Sequence, residues 1–380
     1  MSTTWKRWAP AAAVPLVVVV AAVALPLSAS AAGDLPEKSA SELLSFVVEN
    51  DVTAFSGEIE QTSDLGLPDL SALGGSAPGG AAGGSSGSEA SAVDALMELA
   101  TGSHEARVFV DADRGARLQV LDRLAERDVV ATTGEGVWVY DSAENTATHF
   151  LPPEPDGAEP DAAAPQSVPP TEVPTPSSIA EQLLASIDPS TTVAVGSDVE
   201  VAGRDAYELV LTPRDGTTLV GSVTISIDGE TGLPLGVAVT ARGGTAPAFA
   251  VAYSSIDFRA PDAAMLAFTP PAGAEVVEKA APVHEEPGTV GPGTVEPGAV
   301  EPREPAADGS DVLTTGTGWA TVVELPAGGT EALGALDAVS TPVPGGRALE
   351  SALVSVLLTD DGRVLAGAVP VDVLVDAAGR

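Results

Sequence analysis

The stretch HEARVFVDADRGARLQVLDRLAERDVVATTGEGVWVYDSAENTATHFLP, residues 104–152, decides the fold of this chain. It contains five short segments of alternating or continuous apolar character, separated by the turn sequences DADRG, TTGEG and DSAEN. Alternation with a period of two indicates β-strands, and Gly, Asp and Asn favour tight turns. Short turns between successive strands produce an antiparallel meander. The stretch therefore predicts strands over 104–112, 116–122, 126–133, 135–141 and 145–152.

A second group of strand signals follows a Pro-rich, acidic stretch at 152–178. The pattern predicts strands over 191–203, 204–213, 221–228, 233–241 and 248–258, with hairpin turns at RDG (214–216) and GETG (229–232). Helical spacing predicts helices over 35–51, 91–100 and 178–188, the first capped by Asp34 and the third by Ser178 with Glu181. Many antiparallel strands in sequence order with few helices predict a mainly β (α+β) fold, a large curved sheet or partial barrel with helices on one side.

The N-terminus has the features of a secretory signal. Lys6 and Arg7 form a charged start, 11–27 is apolar, and small residues around Ala31 form a cleavage site. A retained membrane anchor is the alternative, but two prolines interrupt the apolar stretch, and a span needs about 20 apolar residues. We therefore predict cleavage near Ala31, export to the cell envelope, and no stable membrane insertion afterwards.

Charge and cysteine content exclude several classes of protein. The formal net charge of the 380-residue chain is −37, and such a chain is repelled by nucleic acid phosphates and anionic lipid headgroups. There is no Cys, so the chain has no disulfide, no thiolate metal site and no Cys to which a lipid anchor is attached. We predict no nucleic acid partner.

The residues that would build an active site are also missing. The three His, namely His104, His149 and His284, show no metal-ligand spacing, and Ser103 cannot face the adjacent His104 as a nucleophile faces its base. No phosphate-binding or dinucleotide-binding motif occurs, and the acidic pair Glu58 and Glu60 is typical of a solvated strand face. The sequence therefore predicts a protein that is not an enzyme and has no cofactor and no metal.

The order of the elements resembles a known family. VWVYDSAENTATHFLP, VAGRDAYELVLTP, SVTISIDGETGLPLGVAVTA and AYSSIDFRAPDAAMLAFTPPAGAEVVE follow the two leading helices in the order found in LolA-like proteins. This superfamily includes the outer-membrane lipoprotein carrier LolA and the sigma-E regulatory protein RseB. The chain is most similar to secreted actinobacterial members, which share the LTDDGRVLAGAV tail. The resemblance covers about 34–278 and the tail.

The resemblance implies an open antiparallel half-barrel, with helices packed as a lid over an apolar cavity. Together with the signal pattern and the composition, it predicts four parts of the chain. These are a signal peptide at 1–32, the half-barrel at 33–278 with disordered insertions near 64–91 and 152–177, a Pro/Gly/Glu-rich linker at 279–310, and a small C-terminal α+β module at 311–380. In that module we predict a strand at GWATVVEL, a helix at TEALGALDAV, a hairpin turning at DDG and a final helix at VDVLVDAA.

The candidate ligand contacts are apolar residues of the strands and lid helices. Trp138 and Tyr140 share one face of their strand, and Val137 and Val139 share the other. Both sets are apolar, so the strand is either covered by protein on both faces or packed on a helix with one face and on a ligand with the other. The candidate cavity lining is Phe46, Met97, Phe109, Trp138, Tyr140, Leu209, Leu211, Val251 and Tyr253. Plain core packing is the alternative for Trp138, Phe46 and Met97.

Three functions are consistent with the sequence. The first is an exported carrier that binds a hydrophobic ligand such as the acyl chain of a lipid or lipoprotein. The second is an RseB-like regulatory sensor that acts through a membrane-bound partner such as an anti-sigma factor. The third is a structural, wall-associated protein. A carrier predicts a bound lipid, a sensor predicts a stoichiometric protein partner, and a structural protein predicts a well-packed core without a ligand.

Overall fold

A computed structural model of the protein describes residues 35–66, 102–121, 126–151, 175–185, 187, 189–280, 313–325 and 340–379. The described residues form one sheet of thirteen strands and one of six. The predicted helices at 91–100 and in TEALGALDAV, most of the two insertions and nearly all of the linker lie outside the described residues.

The larger sheet is built by the first thirteen strands. They are β1 (Ala54–Ser63), β2 (Gly102–Asp111), β3 (Gly115–Leu121), β4 (Glu126–Thr132), β5 (Gly136–Asp141), β6 (Thr146–Leu151), β7 (Thr191–Val195), β8 (Val199–Val201), β9 (Arg204–Pro213), β10 (Val220–Asp228), β11 (Pro234–Ala241), β12 (Pro247–Asp257) and β13 (Glu275–Ala280). The order is β13-β6-β5-β4-β3-β2-β1-β12-β11-β10-β9-β7, with β8 also paired to β9. The sheet is open, because its two edge strands, β13 and β7, do not pair with each other.

The two predicted meanders meet at β1, which pairs antiparallel with β2 on one side and β12 on the other. This confirms the predicted open antiparallel sheet. Two details differ from the prediction. The strand predicted over 191–203 is divided into β7 and β8, and β13 returns to the far edge to pair with β6 in parallel.

Helices α1 (Ala40–Val48) and α2 (Pro176–Ala185) begin at residues other than those predicted. The cap of α1 is Ser39, whose hydroxyl accepts from the Glu42 amide while the Glu42 carboxylate accepts from the Ser39 amide. Helix α2 begins before Ser178, and the Thr175 hydroxyl accepts from the Ser178 amide. The predicted caps were wrong because capping side chains occur nearby in both segments, and Pro176 suits a first helical position.

The strand register gives the larger sheet two distinct faces. Ile59 lies opposite Tyr253, Val251 opposite Val237, and Ile225 opposite Leu209, so these residues share what we call the inner face. Helices α1 and α2 pack on this face, mainly against β7, β11 and β12, where Leu43, Val47 and Ala180 join the core. The alternate residues form the outer face.

The smaller sheet has the order β14-β15-β19-β18-β17-β16. Its elements are β14 (Leu313–Thr315), β15 (Val322–Leu325), β16 (Thr341–Val343), β17 (Gly346–Glu350), β18 (Ser355–Thr359), β19 (Val364–Gly367) and helix α3 (Val371–Ala378). The predicted hairpin at DDG and the final helix are confirmed. The strand predicted over GWATVVEL begins only at Val322, because Gly318–Ala320 forms a 3-10 turn. Strands β16 and β17 were not predicted, since TPVPGGRALE is rich in Pro and Gly.

The two sheets are joined by hydrogen bonds and a shared core, which we call the joint. The Leu219 amide donates to the Ala368 carbonyl, and the Ala352 amide donates to the Leu65 carbonyl, both at 2.8 Å. The Trp319 indole N–H donates to the Thr191 hydroxyl at 2.8 Å. Leu353 is buried in the core of the larger sheet. The C-terminal module is therefore packed firmly against the half-barrel.

One buried carboxylate stabilises the β10–β11 turn. Asp228 is fully buried, and its oxygens accept from Arg204 Nε at 2.5 Å and Nη2 at 3.1 Å. They also accept from the amide and hydroxyl of Thr231, at 2.8 and 2.7 Å. Burial raises the pKa of Asp228, but these hydrogen bonds from Arg204 and Thr231 together outweigh it and leave the pKa below its ordinary value.

Asp228→Asn is expected to reduce the dependence of stability on acidic pH. A lowered pKa in the folded state stabilises the fold above the unfolded pKa of about 3.9, and this stabilisation is lost as the pH falls through the folded value. Urea unfolding at pH 7 and at steps below about pH 4 should show a less stable variant with a shallower acid dependence. Glu230→Gln is the control, because Glu230 pairs with the same Arg204 but is exposed. An unchanged acid dependence in the Asp228 variant would contradict this account.

Candidate functional site

The predicted lining residues are divided between the two faces of the larger sheet. Leu209, Leu211, Val251 and Tyr253 lie on the inner face, and each is at most 2% exposed. Phe109, Trp138 and Tyr140 lie on the outer face. Trp138 pairs there with Val130 and His149. Val139, its neighbour on β5, lies on the inner face and pairs with Val129 and Thr148. Phe46 is half-buried on α1, and Met97 lies outside the described residues. The nine residues therefore do not share one surface, and their contact with a ligand stays a prediction.

The inner face between β7 and β12 is packed core. Tyr253 is 2% exposed, and the edge of one ring meets the face of the other between Phe55 and Tyr253, with 6.0 Å between centroids. Burial raises the pKa of Tyr253 to about 12, and the nearby Ser177 hydroxyl opposes this only weakly, so the phenol is neutral at pH 7. The two hydroxyls do not reach hydrogen-bonding geometry. This half of the inner face is filled by protein side chains.

The apolar character of the inner face continues beyond that core. Among the described residues, the core cluster extends across the sheet as far as Leu118 and Val120 of β3. Beyond β3, Val137 lies directly opposite Phe150, and Val139 lies opposite Val129. Val129 is buried, and the other three are half-buried. We call Val129, Val137, Val139 and Phe150 the inner strip.

Phe46 lines a separate cleft along α1, with a volume of about 340 Å³. The other lining residues are polar, and the Lys38 ammonium lies 4.8 Å from the centre of the Phe46 ring. The Tyr207 hydroxyl fixes the preceding segment by donating to the Pro36 carbonyl at 2.8 Å. Phe46 thus contacts both the core and a polar surface.

On the outer face, residues 258–274 form a strap that runs from the end of β12 to β13 at the sheet edge. The strap packs on β3 and β4 through the 3-10 turn Ala263–Leu266. Arg117 Nη1 donates to the Met265 carbonyl at 3.2 Å, and Asn145 Nδ2 donates to the Gly273 carbonyl at 2.9 Å. Leu266 is 3% exposed. The strap is therefore fixed at its middle and at its far end.

An ion pair lies beneath the strap. Arg117 donates through Nε to one Asp128 oxygen at 2.9 Å and through Nη2 to the other at 2.5 Å. The Asp128 side chain is 4% exposed and the Arg117 side chain 18% exposed. This two-point geometry is the strong form of a carboxylate–guanidinium pair. It joins β3 to β4 and holds the guanidinium where it can bind the strap.

The scarce aromatic residues of the opening stretch pack against the strap. The Trp138 ring stacks on the His149 ring, with centroids 4.1 Å apart and planes 2° apart. Phe268 of the strap lies 5.4 Å from Trp138 and 6.1 Å from Tyr140. The Tyr140 hydroxyl donates to Asn145 Oδ1 at 3.2 Å. The structure thus accounts for Trp138 by aromatic packing between sheet and strap.

Beside these rings lies the outer cleft, with a volume of about 450 Å³. Its walls combine aromatic, small apolar and charged side chains. They are Arg117, Glu126, Asp128, Tyr140, Ala264, Ala267, Phe268, Thr269 and Pro271. The strap was not predicted as a wall of a site, although its sequence FTPPAG is one of the segments that carry the family resemblance.

The described residues lack two features, a group of metal-binding side chains and a membrane-spanning helix. In this part of the chain, no three His, Cys, Asp or Glu side chains are grouped so as to hold a metal ion. Across the same residues, no helix has the length and apolar character needed to cross a membrane.

Comparison with known proteins gives matches among solved structures. No protein-family model matches the chain, and no curated protein matches it. The MucA/MucB complex of Pseudomonas aeruginosa matches at 20% identity and a TM-score of 0.43, over 89% of this chain and 96% of that chain. An uncharacterised conserved protein of Thermus thermophilus matches at 15% identity and a TM-score of 0.33, over 63% of this chain and 99% of that chain.

A LolA superfamily protein from Nitrosomonas europaea also matches, at 10% identity and a TM-score of 0.22, over 61% of this chain and 99% of that chain. At these identities and TM-scores the matches carry no argument about this chain.

Asp128→Asn is expected to lower the free energy of unfolding by about 3 kcal/mol, because it leaves the guanidinium of Arg117 in a mostly buried position without its counter-charge. The strap should loosen too, since Arg117 also binds the Met265 carbonyl. Urea unfolding measures the first effect, and the rate of proteolytic cleavage within 258–274 measures the second. Glu58→Gln removes an exposed partner of Arg107, away from the strap, and should change neither. Equal effects of both variants would show that burial of the pair is unimportant.

Proposed function

We propose that this chain is an exported, non-catalytic binding protein of the cell envelope that holds an apolar ligand, such as an acyl chain, on its half-barrel. The observation that supports the proposal is the inner strip, which continues the apolar inner face past the described core. Three of its four side chains are half-buried. A continuous apolar surface that protein covers only in part favours a ligand that is itself apolar.

The energy available from such a surface is sufficient. Burying a CH₂ group yields about 0.8 kcal/mol, so a sixteen-carbon chain offers about 12 kcal/mol before costs. Immobilising the ligand costs several kcal/mol of this binding free energy. A micromolar dissociation constant requires only about 8 kcal/mol, so no charged anchor is needed.

The proposal keeps the ligand class predicted from the sequence and changes the residues that contact it. On β5, Val137 and Val139 face the inner side, whereas Trp138 and Tyr140 pack against the strap on the outer side. Leu209, Leu211, Val251 and Tyr253 then serve as the packed core that supports the sheet. On β5, the proposed ligand contacts are therefore Val137 and Val139, each one residue away from the predicted contacts Trp138 and Tyr140.

Val139→Asp is expected to weaken binding of a fluorescent sixteen-carbon fatty acid by at least about tenfold. The substitution places a carboxylate on the inner strip, where it must either be desolvated or repel the acyl chain. Fluorescence titration of the full chain measures the affinity, and circular dichroism of the same samples reports whether the variant is folded.

The matched control is Val48→Asp, the same exchange at a side chain that is 84% exposed. It should bind the fatty acid as the unaltered chain does. Native mass spectrometry of protein purified without detergent provides a second test, because a ligand of lipid mass should be retained. A folded Val139 variant with unchanged affinity would overturn the proposed position of the ligand.

The joint favours a second candidate function, a sensor that passes ligand binding to a protein partner. Hydrogen bonds from the Leu219 and Ala352 amides and the Trp319 indole connect the C-terminal module to the half-barrel. A carrier does not need such a connection, whereas a sensor needs one that its ligand can alter. Saturating fatty acid should then change hydrogen exchange at the Leu219 and Ala352 amides by at least about threefold. Unchanged hydrogen exchange at both amides, with fatty acid bound, would contradict the sensor and leave the carrier as the proposed function.

A further inference from the structure

The outer face carries a line of carboxylates that leads to the outer cleft. Glu60 lies directly opposite Glu105, and Leu121, the neighbour of Glu105 on β3, lies opposite Glu126 on β4. Glu60 and Glu105 are exposed. We call Glu60, Glu105 and Glu126 the acidic band. Like charges directly opposite each other destabilise a sheet, so the exposed Glu60–Glu105 pair does not stabilise the pairing of β1 with β2.

Two arginines of the described outer face, Arg107 and Arg117, lie near the band, and both have partners outside it. Arg107 donates to Glu58 at 3.2 Å. Arg117 donates to both oxygens of Asp128 and to the Met265 carbonyl. Both guanidinium groups are therefore already engaged with groups outside the acidic band.

The outer cleft combines the features that a basic side chain needs. Tyr140 and Phe268 stand with ring centroids 6.1 Å apart and planes 41° apart, and both line the cleft. Aromatic faces attract a lysine or arginine cation within about 6 Å. Glu126 lines the same space, and one of its oxygens accepts from Gln119 at 3.1 Å, which leaves further lone pairs for a ligand. The aliphatic stem of a basic residue can pack on Ala264, Ala267 and Pro271.

We propose that the outer face binds a basic segment of a partner protein. One lysine or arginine occupies the outer cleft against the rings of Tyr140 and Phe268, and neighbouring basic residues lie against the acidic band. The net charge of −37 attracts such a partner over a distance, and the acidic band gives it a place to bind. This surface is on the opposite side of the sheet from the inner strip, so it does not depend on the apolar ligand.

The spacing of the band defines the partner further. Glu105 and Glu126 are two strands apart, which corresponds to about 10 Å. An extended peptide advances about 3.3 Å per residue. A segment with a basic residue at every third position therefore matches Glu105 and then the cleft at Glu126.

The test uses the full chain and the fluorescein-labelled peptide Arg-Ser-Ser-Arg-Ser-Ser-Arg, with Glu-Ser-Ser-Glu-Ser-Ser-Glu as its charge-reversed counterpart. Fluorescence anisotropy at 0.1 M salt measures both affinities. The double variant Glu105→Gln with Glu126→Gln should weaken binding of the basic peptide at least fivefold. Phe268→Leu should weaken it about threefold, because it removes the aromatic face but keeps an apolar side chain.

The matched control removes the same charge elsewhere, with Glu49→Gln and Glu200→Gln, both exposed positions on other surfaces. It should change affinity less than twofold. An equal loss in the control and test variants would show attraction by net charge alone and overturn the proposal. Absence of binding by the unaltered chain would also overturn it. Val139→Asp should leave peptide binding unchanged, so failure of this proposal and failure of the acyl-chain proposal are distinguishable.

Discussion

The structure depends on the register of β1 between β2 and β12. Shifting a strand by one residue exchanges its two faces, and here that would bring Glu58 and Glu60 into the core in place of Ile59 and Gln61. Gly57 makes the pairing with β12 possible. A Cβ at this position would lie 2.7 Å from the Ser255 carbonyl oxygen and 2.9 Å from the Tyr253 ring. The missing side chain lets Tyr253 pack closely beside β1.

Once this register is set, the two faces take on different properties. The inner face holds the helices, the core and the inner strip. The outer face holds the acidic band and, beneath the strap, the Arg117–Asp128 pair and the aromatic cluster around Trp138. The two proposed binding surfaces therefore differ in chemistry because they lie on opposite sides of the same strands. One is apolar and suits an acyl chain, whereas the other is acidic and aromatic and suits a basic segment.

Most of the strands and turns could be predicted because they depend on local patterns. The β10–β11 turn is an example, since the DGETG sequence contains Asp228 and Thr231 at the spacing that lets them hydrogen bond. Helix starts were less predictable, because Ser39 and Thr175 compete with other capping residues close by. The parallel pairing of β13 with β6 was not predictable, since it joins residues more than a hundred positions apart that have no common pattern.

The sequence by itself determined the class of fold, an open mainly β sheet with few helices, because alternation and turn residues act over a few positions. It also determined the strongly acidic charge and the lack of cysteine chemistry. Only the tertiary structure decided which side of β5 is the inner one. Odd- and even-numbered positions within 137–140 are both apolar, so the sequence pattern does not show which of the two faces inward. The pairing of Val139 with Val129, and the strap that covers Trp138 and Tyr140, decide it through contacts distant in sequence.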